Sequence, residues 1–133
     1  MKLVNVYEDP LAKWMLYELL SERTPEQSIS HKAMPTKDEH LAFFYSKPYG
    51  AWYAIHDGSF LVGAVYLTRQ REIGVGVLKA HRGQGLARQA ITELMRLHPG
   101  RHLANINPQN EASIALFRSL GFGGPIQITL EKA

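Results

Sequence analysis

Residues 74–95, GVGVLKAHRGQGLARQAITELM, constrain the fold more than any other stretch. Alternating apolar residues run into a basic turn with two closely spaced glycines. An apolar stripe at helical spacing follows: Leu86, Ala90, Ile91, Leu94 and Leu97. A strand therefore hands over to a helix across a short turn. Backbone N–H groups at a helix start are unpaired and share one direction, and the helix dipole adds partial positive charge. Gly83 and Gly85 remove the Cβ atoms that would hold a bulky anion away, while Arg82 and Arg88 add full charges. This combination suits a phosphate, most naturally a pyrophosphate. A glycine-rich turn with surface arginines would use the same residues for structure alone.

Two other phosphate motifs do not fit. A Walker A loop ends in Gly-Lys-Ser/Thr, and here Gly85 is followed by Leu86-Ala87. A dinucleotide fingerprint places Gly or Ala where Arg88 stands, and its acidic ribose partner is missing because residues 101–110 hold no Asp or Glu.

The rest of the chain reads as one mixed α/β domain spanning residues 1–133. Residues 2–7 alternate like a strand, and Asp9-Pro10 offers a cap and a first helical proline for a helix over 11–23. Residues 23–35 lack periodicity. Thr36 and Glu39 form a capping box for a helix over 38–47, ended by Pro48 and Gly50. Residues 51–57 and 60–68 flank Asp57-Gly58 as a hairpin, with an antiparallel third strand over 72–78. Pro99-Gly100 ends the helix that Gly85 opens. A short strand over 102–106, a helix over 111–120 capped from Asn107–Asn110 and ended by Gly121, and a strand over 125–131 complete the order β-α-α-β-β-β-α-β-α-β.

Charge and composition narrow the function. No apolar run approaches the roughly 20 residues of a membrane span, so no membrane partner is expected. The N-terminus does not read as a signal peptide. With no cysteine there is no disulfide framework, thiol nucleophile or thiolate metal site, and a cytoplasmic location is expected. The six histidines form no ligand pair on one helix and no H-E-x-x-H, so no metal is expected. The net charge of +3 is uneven: residues 1–66 carry six Lys/Arg against eight Asp/Glu, and residues 67–133 carry nine against four. The second half is the natural home of an anionic ligand. Its basic residues gather at one turn instead of forming a helix-long stripe, which disfavours nucleic acid.

Arg82-x-x-Gly85-x-Ala87 after an apolar strand resembles the acyl-CoA pyrophosphate loop of the GNAT N-acetyltransferase superfamily, Gln/Arg-x-x-Gly-x-Gly/Ala. Residues 110–122, Asn110 through Gly121-Phe122, resemble that family's later motif, and the element order is similar too. The likeness is best in 72–122 and thin in 1–50. It implies a GNAT-like fold, with a mostly antiparallel central sheet flanked by helices and a shortened C-terminal strand region. It also implies acetyl-CoA, or another acyl-CoA, as acyl donor and no metal.

The resemblance assigns roles. Val75, Gly76 and Val77 would pair their backbone with the pantetheine arm. Arg82, Gly83, Gln84, Gly85, Leu86, Ala87 and Arg88 would hold the pyrophosphate, and Asn110 would reach the cofactor arm. Glu72, opening the strand, stands near where several members carry the carboxylate that deprotonates the amine. In isolation, a Glu beside Arg69 and Arg71 reads as a solvated ion pair. Gly74 and Gly76 bare one face of the strand, for a ligand, another backbone or a crowding helix.

Two departures stand out. Phe117 occupies the position where the family often has a tyrosine facing the CoA sulfur, and it has no proton to give. Only about eleven residues follow Phe122, enough for one strand where the family commonly has a hairpin. A homodimer partner would supply the missing wall, or a large acceptor would use an open groove. The expected function is N-acyl transfer to a primary amine of a small molecule. Residues 29–44, followed by the hairpin and the strand over 72–78, are similar to members acting on small molecules such as amino sugars. A peptide or protein acceptor is a second reading, and a CoA-binding module with little catalysis is a third.

Overall fold

Thr36 and Glu39 start a helix by reciprocal capping. The Glu39 amide donates to Thr36 Oγ1 (3.1 Å) and the Thr36 amide to Glu39 Oε1 (2.8 Å). In the computed structural model, which describes residues 1–24 and 33–133, this helix is α2 (Lys37–Tyr45). The other elements are β1 (Lys2–Asn5), α1 (Ala12–Ser21), β2 (Ala51–Asp57), β3 (Phe60–Leu67), β4 (Ile73–Val77), α3 (Leu86–Leu97) and α4 (Glu111–Ser119). The irregular stretch expected over 23–35 falls mostly outside the described residues, as does His31.

The four strands form one antiparallel sheet in the order β1-β2-β3-β4. Gly58, at φ +63°, turns the β2–β3 hairpin as the Asp57-Gly58 pair predicts. One face packs on α3 and α4, with Ile55, Val65, Ile91, Leu94 and Phe117 in its core. The other packs on α1 and α2 through Val6, Met15, Leu16, Phe44 and Trp52. The mixed α/β class and the antiparallel sheet flanked by helices are as expected.

Four local expectations need correction. Strand β1 stops at Asn5, because the Asn5 side chain accepts from the Tyr7 amide and curls Val6–Glu8 into a 3₁₀ turn. Helix α1 begins at Ala12 with Leu11 as N-cap. Asp9 is drawn elsewhere: one carboxylate oxygen accepts from the Leu11 amide and the other meets His56 Nε2 on β2 at 2.7 Å.

The segment over 102–106 makes one parallel bridge, Glu72 to Leu103, with Ile73 N–H donating to Leu103 O (2.8 Å). Beyond that bridge it leaves β4 and forms no strand. Residues 125–131 form no strand either, and Ile126, Ile128 and Leu130 stay exposed at 69, 74 and 89%. A strand needs an edge to pair with, and the segment beside β4 provides only one bridge.

Candidate active site

The departure of residues 104–107 from β4 opens a cleft of about 660 Å³. β4 is paired with β3 along one edge, while its other edge, past Ile73, has no strand partner among the described residues. The glycine turn and the start of α3 close one end of the cleft. α1 and aromatic side chains from α2, β2 and β3 also line it, with Tyr66 over Gly74 at the start of β4.

At the turn, Gly83 and Gly85 take φ of +79° and +75°, the left-handed region that strains other residues. Gly85 is the N-cap of α3, and no side chain caps the helix. A Cβ on Gly83 would meet nothing within 4 Å, and one on Gly85 only Gln89 Nε2 at 4.0 Å. The turn is thus bare as well as left-handed. The first helical bond runs from Gln89 N–H to Gly85 O (3.1 Å), leaving the amides of Leu86, Ala87 and Arg88 ahead of it.

The two arginines are held by the protein. Arg82 Nε donates to Val77 O (2.9 Å). Arg88 donates to the Ser119 hydroxyl and carbonyl, tying α3 to α4. No carboxylate among the described residues forms an ion pair with either. Their charge is uncompensated beside free helix amides, an arrangement that attracts an anion. Asn110 Oδ1 accepts from the Ser113 amide (3.1 Å) and caps α4, so this residue has a structural task as well as a place on the cleft.

Val75, Gly76, Val77, Arg82, Gly83, Gly85, Leu86, Ala87, Arg88 and Asn110 are brought together on the cleft; Gln84 and Glu72 are not among its lining residues. Glu72 is locked by its backbone, which exchanges hydrogen bonds with Thr68: Thr68 N–H to Glu72 O (2.8 Å) and Glu72 N–H to Thr68 Oγ1 (2.9 Å). The ion pair that its neighbours suggest is absent among the described residues. Arg69 turns to the carbonyls of Lys47 and Pro48, and Arg71 to those of His98, Pro99 and Arg101 at the end of α3.

Of the aromatic wall, Tyr49 and Tyr66 are what sequence reasoning missed. Tyr66 lies directly opposite Gly74 in the β3–β4 register. Its ring covers the glycine so closely that a Cβ there would sit 2.0 Å from Tyr66 Cζ. Gly74 is therefore bare to admit a side chain of this protein. Gly76 faces Leu19 of α1 at ordinary contact distance. The Tyr66 ring stacks on Tyr49 with centroids 4.0 Å apart, and Trp52 and Phe43 stand edge-on to Tyr49. A bare glycine directly across a strand pair from a tyrosine is the signal that would have found this wall.

Burial pushes the Tyr66 phenol up. The hydrogen bond from Tyr49 and the charge of Arg23 oppose that shift, and the charge of Glu72 adds to it. Burial also pushes Tyr49 up, reinforced by Tyr66. Both hydroxyls are protonated at neutral pH. Phe117, 4% exposed, lines the cleft without any proton to offer. Among the described residues no group of three or more His, Cys, Asp or Glu can hold a metal, and no helix is long and apolar enough to cross a membrane.

The family model for the acetyltransferase (GNAT) family matches residues 13–122, most of the chain. The chain belongs to the acetyltransferase (GNAT) family. That family is one of acetyltransferases. Its fold is similar to yncA of Salmonella typhimurium, an acetyltransferase structure with its cofactor acetyl-CoA (TM-score 0.66, 21% identity, covering 91% of this chain and 77% of that one). It is also similar to a ribosomal-protein-alanine N-acetyltransferase from Brucella melitensis (0.67, 20%, 90% and 82%). A third likeness is to a spermidine N-acetyltransferase chimera from Vibrio cholerae and hSSAT (0.72, 16%, 92% and 82%). At these identities the likeness is one of fold. No protein of curated function matches the chain significantly in sequence.

Proposed function

We propose that this GNAT domain transfers an acetyl group from acetyl-CoA to the primary amine of a small molecule, by direct attack within a ternary complex. The observation that carries the reading is the continuity of the cleft. A left-handed, Cβ-free turn with uncompensated arginines leads along an unpaired β4 edge to an aromatic chamber. The residues fit the donor. The amides from Gly83 to Arg88 and the Arg82 side chain would hold its pyrophosphate, and Val75–Val77 would hold its extended arm by backbone pairing. Asn110 would meet the same arm from α4. When bound, acetyl-CoA supplies an acyl group already activated as a thioester.

The chain's own residues then have three tasks. The chamber excludes water and presents the amine beside β4. Glu72 is the proposed final proton acceptor. It stands off the cleft wall, so the proton would reach it through water. Leaving-group stabilisation falls to backbone donors, since Phe117 cannot protonate a thiolate.

A second reading, a CoA-binding module with little catalysis, is favoured by Phe117 and by the position of Glu72 outside the wall. Thiol release measured over a panel of small amines and peptides, beside calorimetric titration with acetyl-CoA, separates the two. Turnover with a small amine supports the enzyme reading. Binding without turnover across the panel supports the module, and turnover of peptides alone moves the acceptor to protein.

A further inference from the structure

Among the described residues that line the cleft there is no aspartate or glutamate, whereas Arg23, Arg82 and Arg88 all reach it. Arg82 and Arg88 belong to the glycine turn. Arg23 lies outside that turn in sequence, one residue past the Glu22 C-cap of α1, and lines the cleft together with Tyr49 and Tyr66. Its backbone is anchored, with Arg23 N–H donating to Leu20 O (3.2 Å). The neighbouring carboxylate is occupied elsewhere: Glu22 Oε1 accepts from the Lys79 amide (2.8 Å) across the end of β4. No ion pair to Arg23 forms among the described residues. Its charge nevertheless reaches both phenols of the chamber and opposes the upward push of burial on each.

We infer that the acceptor carries an anionic group besides its amine, and that Arg23 holds this group while the molecule's frame lies against Tyr49 and Tyr66. The inference rests on the small-molecule reading above and narrows it. Guanidinium is a planar fork suited to carboxylate and phosphate oxygens, and its charge-assisted hydrogen bonds are the strong kind. A polyamine would bring several positive charges to a cleft lined, among the described residues, by arginines and by no carboxylate; Glu72, off the lining, is left for the amine's proton. The desolvating wall helps the chemistry, because it disfavours the ammonium form of the amine. Arg23 is a specificity-determining residue on this account.

The test uses matched acceptors in the thiol-release assay. Each amino acid is paired with the amine left by replacing its carboxylate with hydrogen, and each aminohexose phosphate with its free aminohexose. The anionic member of one series is expected to show kcat/KM greater by about tenfold or more, the lower end of what a charge-assisted hydrogen bond is worth. Which series responds tells carboxylate from phosphate. Arg23→Gln should bring that member down to its uncharged partner and Arg23→Lys should restore part of the preference. The acetyl-CoA dissociation constant should stay within about twofold in both variants.

Equal or better turnover of the uncharged members, or a preference that survives Arg23→Gln, overturns the inference and leaves the small-molecule reading standing. Loss of acetyl-CoA affinity in Arg23→Gln overturns it by moving Arg23 to the donor. If acetyl-CoA binds and neither series is consumed, the small-molecule reading itself fails, and this inference with it.

Discussion

Gly74→Ala should damage the fold through a single side chain, Tyr66. A Cβ at position 74 would lie 2.0 Å from Tyr66 Cζ, 2.3 Å from its hydroxyl oxygen and 2.4 Å from Cε1. Ordinary carbon contact needs roughly 1.5 Å more, so the ring must move. It cannot move alone, because it is stacked on Tyr49 at 4.0 Å. Overpacking of this kind costs about 1–3 kcal/mol, and losing the stack about 0.5–1.5 kcal/mol. Alanine recovers about 0.5–1 kcal/mol relative to glycine within a strand. The net loss expected is about 1–3.5 kcal/mol.

Urea unfolding of the wild type, Gly74→Ala, Tyr66→Val and the double variant checks this directly. Valine leaves no ring above position 74, so Gly74→Ala should be neutral or stabilising in that background. The coupling energy should then be about 1.5–4.5 kcal/mol, the overpacking and stacking costs without the alanine gain. Additive effects, with alanine costing the same in both backgrounds, would refute the idea that Gly74 is bare to admit Tyr66.

At the turn, Gly85→Asp and Gly85→Asn put similar strain on a left-handed position, with Asn better tolerated there, but differ in charge. Calorimetry should find acetyl-CoA bound at least about tenfold more weakly by the Asp variant than by the Asn variant, and equal affinities would remove the pyrophosphate from this turn. Glu72→Gln should lower kcat by about 10²-fold or more while leaving acetyl-CoA affinity nearly unchanged, and full turnover at neutral pH would dismiss Glu72 from the proton path. Stability should also fall in alkali. Tyr49 and Tyr66 titrate higher when folded than the ordinary 10.0, so their contribution is complete below pH 10 and is lost as the pH rises from there through the folded values. Urea midpoints between about pH 8 and 11.5 should show this slope, and Tyr49→Phe or Tyr66→Phe should flatten it; an unchanged slope would mean other groups cause it.

The elements legible in the sequence are those whose signals are local. The Thr36–Glu39 capping box, the Asp57-Gly58 turn, the opening of α3 at Gly85 and the cap of α4 by Asn110 each depend on residues within one or two turns of one another. The errors lie where a distant partner intervenes. Asp9 looks like a helix cap, but His56, 47 positions away, takes one of its oxygens. Residues 125–131 alternate like a strand, yet alternation cannot create the edge it would pair with.

The candidate site divides in the same way. The glycine turn is written in consecutive residues, so its composition points to an anion before any coordinates. The aromatic chamber draws on α1, α2, β2 and β3, and only the cross-strand register sets Tyr66 over Gly74. Arg88 illustrates the limit of reading charge alone, since the residue lines the cleft while its guanidinium is held by Ser119.

Central to the proposed function is acetyl-CoA lying along β4 with its pyrophosphate at the 82–88 turn. Backbone amide chemical shifts recorded during titration with acetyl-CoA test it most directly. The account predicts saturable shifts concentrated at Val75–Val77, at Gly83–Arg88 and around Asn110, with β1 unmoved. Shifts that fail to saturate, or that gather away from the turn and the β4 edge, would contradict it.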